Sequence, residues 1–245
     1  MIRTVLSRLR SGLAPGEAGE RIAADETVTY AVGDVHGCDT HLDALLEGIA
    51  EHAGGRPRNL VFLGDYVDRG PGSAAVIETL RALQAREPER VVCLMGNHES
   101  MLLAAADGRG EDIWRINGGD AVLASYGVRR AGDLPPDVIA WIRGLPTVHA
   151  DALHWYVHAG FRPTLPAPDP DVSQRLWIRE PFLKADHDFG RHVVHGHTPI
   201  ACGRPEVRRH RTNLDTGAVF GGALTAGVFT ESQGPAVQFL RVTLE

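Results

Sequence analysis

Five times along this chain a short apolar run ends in Asp, Asn or His with glycine close beside it. Thr27 to Val32 (TVTYAV) leads into GDVHG at Gly33 to Gly37, and Asn59 to Leu63 (NLVFL) into GDYVDRGP at Gly64 to Pro71. Arg90 to Met95 (RVVCLM) is followed by GNHE at Gly96 to Glu99. His154 to His158 (HWYVH) runs into VHAG at Val157 to Gly160, and His192 to His195 (HVVH) into HGHTP at His195 to Pro199. Short runs rich in Val, Leu, Phe and Tyr read as buried strands. In open α/β sheets, functional groups gather at the carboxyl ends of parallel strands, and glycine there permits tight turns and close backbone approach. Taken singly, a Gly-Asp pair is a turn, His158 a partly buried histidine, and GNHE a helix start with Asn97 as cap and Glu99 in the first turn. Five such ends in one chain point to a single site.

The segments between the first three runs carry apolar residues at helical spacing. Asp39 to His52 places Leu42, Leu45, Leu46 and Ile49 on one face, and Gly72 to Arg86 does the same with Val76, Ile77, Leu80 and Leu83. The chain therefore opens as βαβαβ, an α/β fold with a mostly parallel sheet. Further strands are expected at Thr212 to Leu214, Ala223 to Phe229 and Ala236 to Val242, making a mixed sheet or a second sheet. Residues 107–150 bear no ligand types in this pattern and read as short helices capping the site. Residues 1–25 read as an N-terminal arm whose basic start, MIRTVLSRLRSGL, is a frayed or loosely packed helix. With no linker or repeat, 1–245 reads as one domain.

A net charge of −6 offers no basic footprint for nucleic acid. The one basic run, RPEVRRHR at Arg204 to Arg211, reads as a solvated edge strand or loop. Cys38, Cys93 and Cys202 form no CxxC pair, which suits a cytoplasmic location, with Cys93 a buried thiol. No apolar stretch reaches the roughly 18 residues of a membrane span, and the N-terminus lacks a signal-peptide apolar core. Trp114, Trp141, Trp155 and Trp177 read as core or cap-packing residues, with lining of the cleft the alternative for Trp114 and Trp177.

The converging set is Asp34, His36, Asp65, Asn97, His158 and His197. Residues two apart on extended backbone share a face, so Asp34 and His36 can grip one ion. Oxygen and imidazole donors without thiolate suit manganese first, with iron or zinc as alternatives. Six donors exceed the needs of one catalytic ion. Two divalent ions bridged by a carboxylate would use them all, activating water and clamping both oxygens of an in-line displacement at phosphorus. Arg69 and Arg179 offer guanidinium forks for phosphate. His98, next to Asn97 and without ligand duty, is placed to be the general acid, with Asp68 to orient it.

These motifs, in this order, resemble the phosphoprotein phosphatase family of calcineurin-like metallophosphoesterases, most nearly the compact bacterial and lambda-phage-type serine/threonine phosphatases. LDTGA at Leu214 to Ala218 resembles that group as well. The resemblance implies a sandwich of two mixed β-sheets flanked by helices. It implies one metal on Asp34, His36 and Asp65, and a second on Asp65, Asn97, His158 and His197, with Asp65 bridging. It further implies His98 as acid, Asp68 as its partner, and Arg69, Arg179 and Asn97 at the phosphate. The expected activity is hydrolysis of phosphorylated proteins or small phosphoesters. The alternative is a diadenosine-polyphosphate or other nucleotide anhydride hydrolase, which GDVHG and Gly70 to Ser73 also resemble. Members known for symmetrical cleavage tend to lack the carboxylate at Asp68 and to read GNHD where this chain reads GNHE. A third reading is a scaffold that has lost catalysis, yet none of the six donor positions is missing here.

Overall fold

The computed structural model describes residue 22, residues 26–244, and the backbone of residues 7–13. Among the described residues eleven strands form two sheets. In the first sheet the order is β1 (Ser7–Leu13), β11 (Gln238–Leu244), β10 (Leu224–Phe229), β2 (Val28–Val32), β3 (Arg58–Phe62) and β4 (Val91–Cys93). β2, β3 and β4 run parallel, while β10 and β11 are antiparallel to their neighbours. In the second sheet β5 (Val148–Ala150), β6 (His154–Val157), β7 (His192–His195), β9 (Arg211–Asn213) and β8 (Glu206–Val207) lie side by side. There β6, β7 and β9 are parallel. The sandwich of two mixed sheets expected from the sequence is therefore present.

Alternation along the strands decides which layer each side chain enters. Tyr30, Val32, Leu60 and Phe62 face α1 (Asp39–Ala53) and α2 (Ser73–Arg86), meeting Leu42, Leu45, Ile49, Ile77 and Leu80. Their sequence neighbours Ala31, Val61 and Leu63 point the other way, into the layer between the sheets with Tyr156, Val194 and Phe229. The outer side of the second sheet is covered by a smaller cluster around Phe161, Phe182 and Phe189. Both long helices form where the 3.6-residue spacing placed them, each within one residue of expectation.

α3 (Asn97–Ala106) follows β4 directly. Its N-cap is Gly96 rather than Asn97, and Glu99 at the third helical position accepts from Gly96 N–H at 2.9 Å. Residues 107–150 contain the expected short helices: α4 (Glu111–Trp114), α5 (Asp120–Tyr126) and α6 (Pro136–Arg143), with a five-residue π-helical turn at Arg115–Gly119 joining the first two. The same stretch also ends in β5, which sequence patterning missed. α7 (Val172–Trp177) is the last helix of more than one turn.

One expectation is corrected. Residues 7–13 of the N-terminal arm form a strand, not a helix, and pair antiparallel with β11 from Ser7–Leu244 to Leu13–Gln238. Local periodicity cannot see a partner at the far end of the chain. The remainder of residues 1–25, Ile22 apart, lies outside the described residues. The basic run yields β8, an edge strand of the second sheet as read, but its last residue, Arg211, is buried against Phe182 and pairs with Glu206 at 2.8 Å. Among the described residues no helix is long and apolar enough to cross a membrane.

Phe229 is wholly buried between the sheets. Phe229→Ala is expected to cost about 3–5 kcal/mol, read as a lower urea midpoint at unchanged slope. A loss below about 1 kcal/mol would contradict sheet-on-sheet packing at this point.

Candidate metal centre

All six parallel strands end at one place. β2 delivers Asp34 and His36, β3 delivers Asp65, β4 delivers Asn97, β6 delivers His158 and β7 delivers His197. β9, whose sequence run was noted but assigned no site residue, delivers Asp215. There too a polar residue closes the strand with glycine two residues on, in LDTG. Each of these seven side chains is at least 95% buried.

Four donor atoms converge on one side. His158 Nε2 lies 2.9 Å from Asn97 Oδ1 and 3.4 Å from Asp65 Oδ1, and His197 Nδ1 lies 2.8 Å from Asn97 Oδ1. Ligands about 2.1 Å from a shared ion stand about 3.0–3.4 Å apart; the Asp65 contact falls in that range and the two Asn97 contacts just below it. On the other side His36 Nε2 lies 3.5 Å, and His98 Nε2 3.9 Å, from Asp65 Oδ2. Asp65 is thus common to both groups. Asp34 stands outside these two three-residue groups, both its oxygens accepting from His197 N–H at 3.1 Å. Gly196 makes this approach possible, because a Cβ there would collide with the Asp34 carboxylate.

The proton positions can be read from the backbone. His36 Nδ1–H donates to Val67 O at 2.8 Å and His158 Nδ1–H to Leu63 O at 2.9 Å. Burial, and for His36 also the Arg69 charge, lowers both imidazoles to about 3. Neutral rings with Nδ1 protonated present bare lone pairs at Nε2. His158 Nε2 then faces the Asn97 Oδ1 lone pairs with no proton between them. Burial, then the charges of Asp215 and Asp65, pushes Asp34 well above the ordinary carboxylate range; burial, then Glu99, does the same to Asp65. Acceptors facing acceptors, and carboxylates crowding carboxylates, are what bound cations relieve. The donor set fits divalent metal.

His98, Asp68 and Arg69 border this group. His98 Nδ1–H donates to Asp68 Oδ2 at 2.6 Å. Arg69 donates to His98 Nε2 at 2.9 Å and to His36 Nε2. Its guanidinium also lies over the Phe220 ring, 5.4 Å from the centroid. Arg179 is exposed on the loop after α7, near enough for its charge to lower His158 and His197 and to act on Asp215. The Trp177 ring, 42% exposed, lies 6.3 Å from that of His197.

Two residues that sequence reasoning gave other duties act here. Glu99 is completely buried, and its Oε2 accepts from Asp65 N–H at 2.8 Å and Gly96 N–H at 2.9 Å. Its Oε1 accepts from Tyr66 N–H at 2.8 Å and Val67 N–H at 3.3 Å. Burial raises the Glu99 carboxyl and these donors lower it; with two N–H groups on each oxygen, neither has room for a proton. Trp114, read as a packing residue, donates from Nε1 to Asp68 Oδ1 at 2.8 Å.

A family model described as calcineurin-like phosphoesterase matches residues 28–222. A symmetrical bis(5'-nucleosyl)-tetraphosphatase of Janthinobacterium sp. (strain Marseille) is 39% identical over 135 residues, covering 55% of this chain and 44% of that protein. The chain thus spans less than half of that relative's length. Serine/threonine-protein phosphatase 1 of Salmonella typhimurium is 30% identical over 227 residues, covering 87% of this chain and 97% of the relative. An asymmetrical bis(5'-nucleosyl)-tetraphosphatase, PrpE, of Geobacillus sp. (strain WCH70) is 30% identical over 238 residues, covering 82% and 89%.

Glu99→Gln replaces one acceptor oxygen by an NH₂ that faces two backbone N–H groups. The substitution is expected to cost about 2–6 kcal/mol, measured by urea unfolding of the metal-free protein. Unchanged stability would mean that the four hydrogen bonds contribute nothing.

Proposed function

The chain belongs to the calcineurin-like phosphoesterases, and from that premise we propose that it is a metal-dependent phosphomonoesterase of the serine/threonine protein phosphatase type. The observation that carries this reading is the His98–Asp68 pair at 2.6 Å beside the convergent donors. A serine or threonine alkoxide is nearly as basic as hydroxide, with water at about 15.7, and must leave with a proton. A nucleoside phosphate, with a second pKa of about 6, can leave as the anion. A buried, oriented imidazole with an anionic partner is useful for the first leaving group and largely idle for the second.

In this reading Asp34, His36 and Asp65 hold one divalent ion, and Asp65, Asn97, His158 and His197 hold another. Such ions lower the pKa of coordinated water and neutralise phosphate oxygens. The chain's own residues do the rest. Arg69 turns its fork from His36 and His98 to the phosphate, with Arg179 and Asn97 as its further contacts. Val67 O and Leu63 O keep His36 and His158 in the tautomer that presents Nε2. With Arg69 turned to the phosphate, His98 Nε2 is free to take a proton from solvent, and Asp68 supports the imidazolium so formed. Nε2 then gives that proton to the departing oxygen, leaving the neutral ring with Nδ1–H on Asp68. Manganese, a one-domain organisation over 1–245 with 107–150 as a cap, and a cytoplasmic location complete the proposal.

A second reading, hydrolysis of dinucleoside polyphosphates, is favoured by the tetraphosphatases among the relatives. Against it stands Asp68, a carboxylate that the symmetrical enzymes tend to lack.

Removing metal by chelation is expected to abolish turnover and reloading with Mn²⁺ to restore it. Each ion held at 100 times its Kd should add about 2.7 kcal/mol of stability, visible as a raised melting temperature. His98→Asn should slow a phosphoserine peptide by about 10²- to 10⁴-fold and spare 2,4-dinitrophenyl phosphate. Equal loss on both, or wild-type preference for diadenosine tetraphosphate over the peptide by orders of magnitude, would overturn the phosphatase reading.

A further inference from the structure

Asp68 and Arg69 hold consecutive left-handed backbone, with φ of 72° and 69°, a region that non-glycine residues rarely adopt. One neighbouring element holds both. Arg69 N–H donates to Gly118 O at 3.1 Å, and the Trp114 Nε1–H donates to Asp68 Oδ1 at 2.8 Å. Trp114 ends α4, and Gly118 lies in the π-helical turn that follows, with φ of 111°. A π-turn carries one residue more than an α-turn and such turns recur at functional sites. Here it brings an indole and a carbonyl onto adjacent residues of one loop. The fit is close: a Cβ at Gly118 would collide with Arg69 N, and one at Gly119 with the Trp114 ring.

Trp114 is wholly buried. A phenyl ring would supply apolar area for that purpose; the N–H is the part a core does not need. Its partner Asp68 is also wholly buried and has two oxygens to satisfy. Trp114 takes Oδ1, which leaves Oδ2 for His98 Nδ1–H.

We propose that Trp114 is a positioning residue for proton transfer: its indole N–H fixes the Asp68 carboxylate in the rotation that aims His98 Nε2 at the leaving oxygen. The proposal rests on the reading of His98 as proton donor. Losing the N–H frees Oδ1, lets the carboxylate rotate, and misaligns the imidazole while Asp34, His36, Asp65, Asn97, His158 and His197 keep their own contacts.

The test uses the full chain loaded with Mn²⁺ and carrying benzothienylalanine at position 114, in which sulfur replaces the N–H at nearly constant shape. Trp114→Phe serves as a second variant. Turnover of a phosphoserine peptide should fall about 10- to 100-fold, the worth of one hydrogen bond to a buried charge, with KM within about twofold. Turnover of 2,4-dinitrophenyl phosphate should stay near that of the unmodified protein. In an Asp68→Asn background the same replacement should change peptide turnover less than about twofold, because the two act through one contact. Equal loss on both substrates, no loss on the peptide, or additive effects with Asp68→Asn would overturn the proposal. If His98→Asn itself fails to separate the two substrates, the acid reading falls. If His98→Asn separates them and the isostere does not, only the role of Trp114 falls.

Discussion

A single buried carboxylate ties the site to the fold. Glu99 gathers backbone N–H groups from Asp65, Tyr66 and Val67 and from Gly96, joining the loop after β3 to the start of α3. Without an acceptor these four donors would sit orphaned in the interior, at about 1–3 kcal/mol each. With it, the loop is fixed, and so is the backbone of Asp65, the residue shared by both donor groups. Asp65 in turn accepts from His98 N–H at 3.0 Å, which anchors the helix start from the opposite side.

Around this keystone lies an electrostatic imbalance. Asp34, Asp65, Asp68, Glu99 and Asp215 are buried together, and the imidazoles among them resist protonation. The strain is local as well as electrostatic. Among the described residues the non-glycine positions with left-handed backbone are His36, Asp65, Asp68, Arg69 and His197, every one of them at the site. Such strain persists only where surrounding structure over-determines it, and the glycines and backbone carbonyls packed around these turns do so. The two sheets contribute rigidity, and the strand ends contribute placement.

What could be read in advance follows the range of the interactions involved. The donor residues were legible because each is a local signal: an apolar run, then a polar side chain with glycine within two residues. α1 and α2 were legible because apolar spacing is a local signal. Glu99 was visible as a first-turn acid, yet three of its four partners belong to another loop, which no local pattern reveals. Trp114 resembled a packing residue because an indole in the core and an indole donating to a carboxylate have the same sequence. Asp215 was missed although its motif was present, since the β9 run is only three residues long. The arm at residues 7–13 was misread because strand pairing, unlike helical periodicity, is set by a distant partner.

That last pairing has a consequence for how the sheet closes. Among the described residues β1 pairs with β11 alone, and these two strands are the farthest apart in sequence of any paired strands in the fold. Joining such distant segments costs more chain entropy than any other pairing in the sheet. The β1–β11 seam, at the edge of the first sheet, is therefore the pairing that most needs the strands between it to be ordered beforehand.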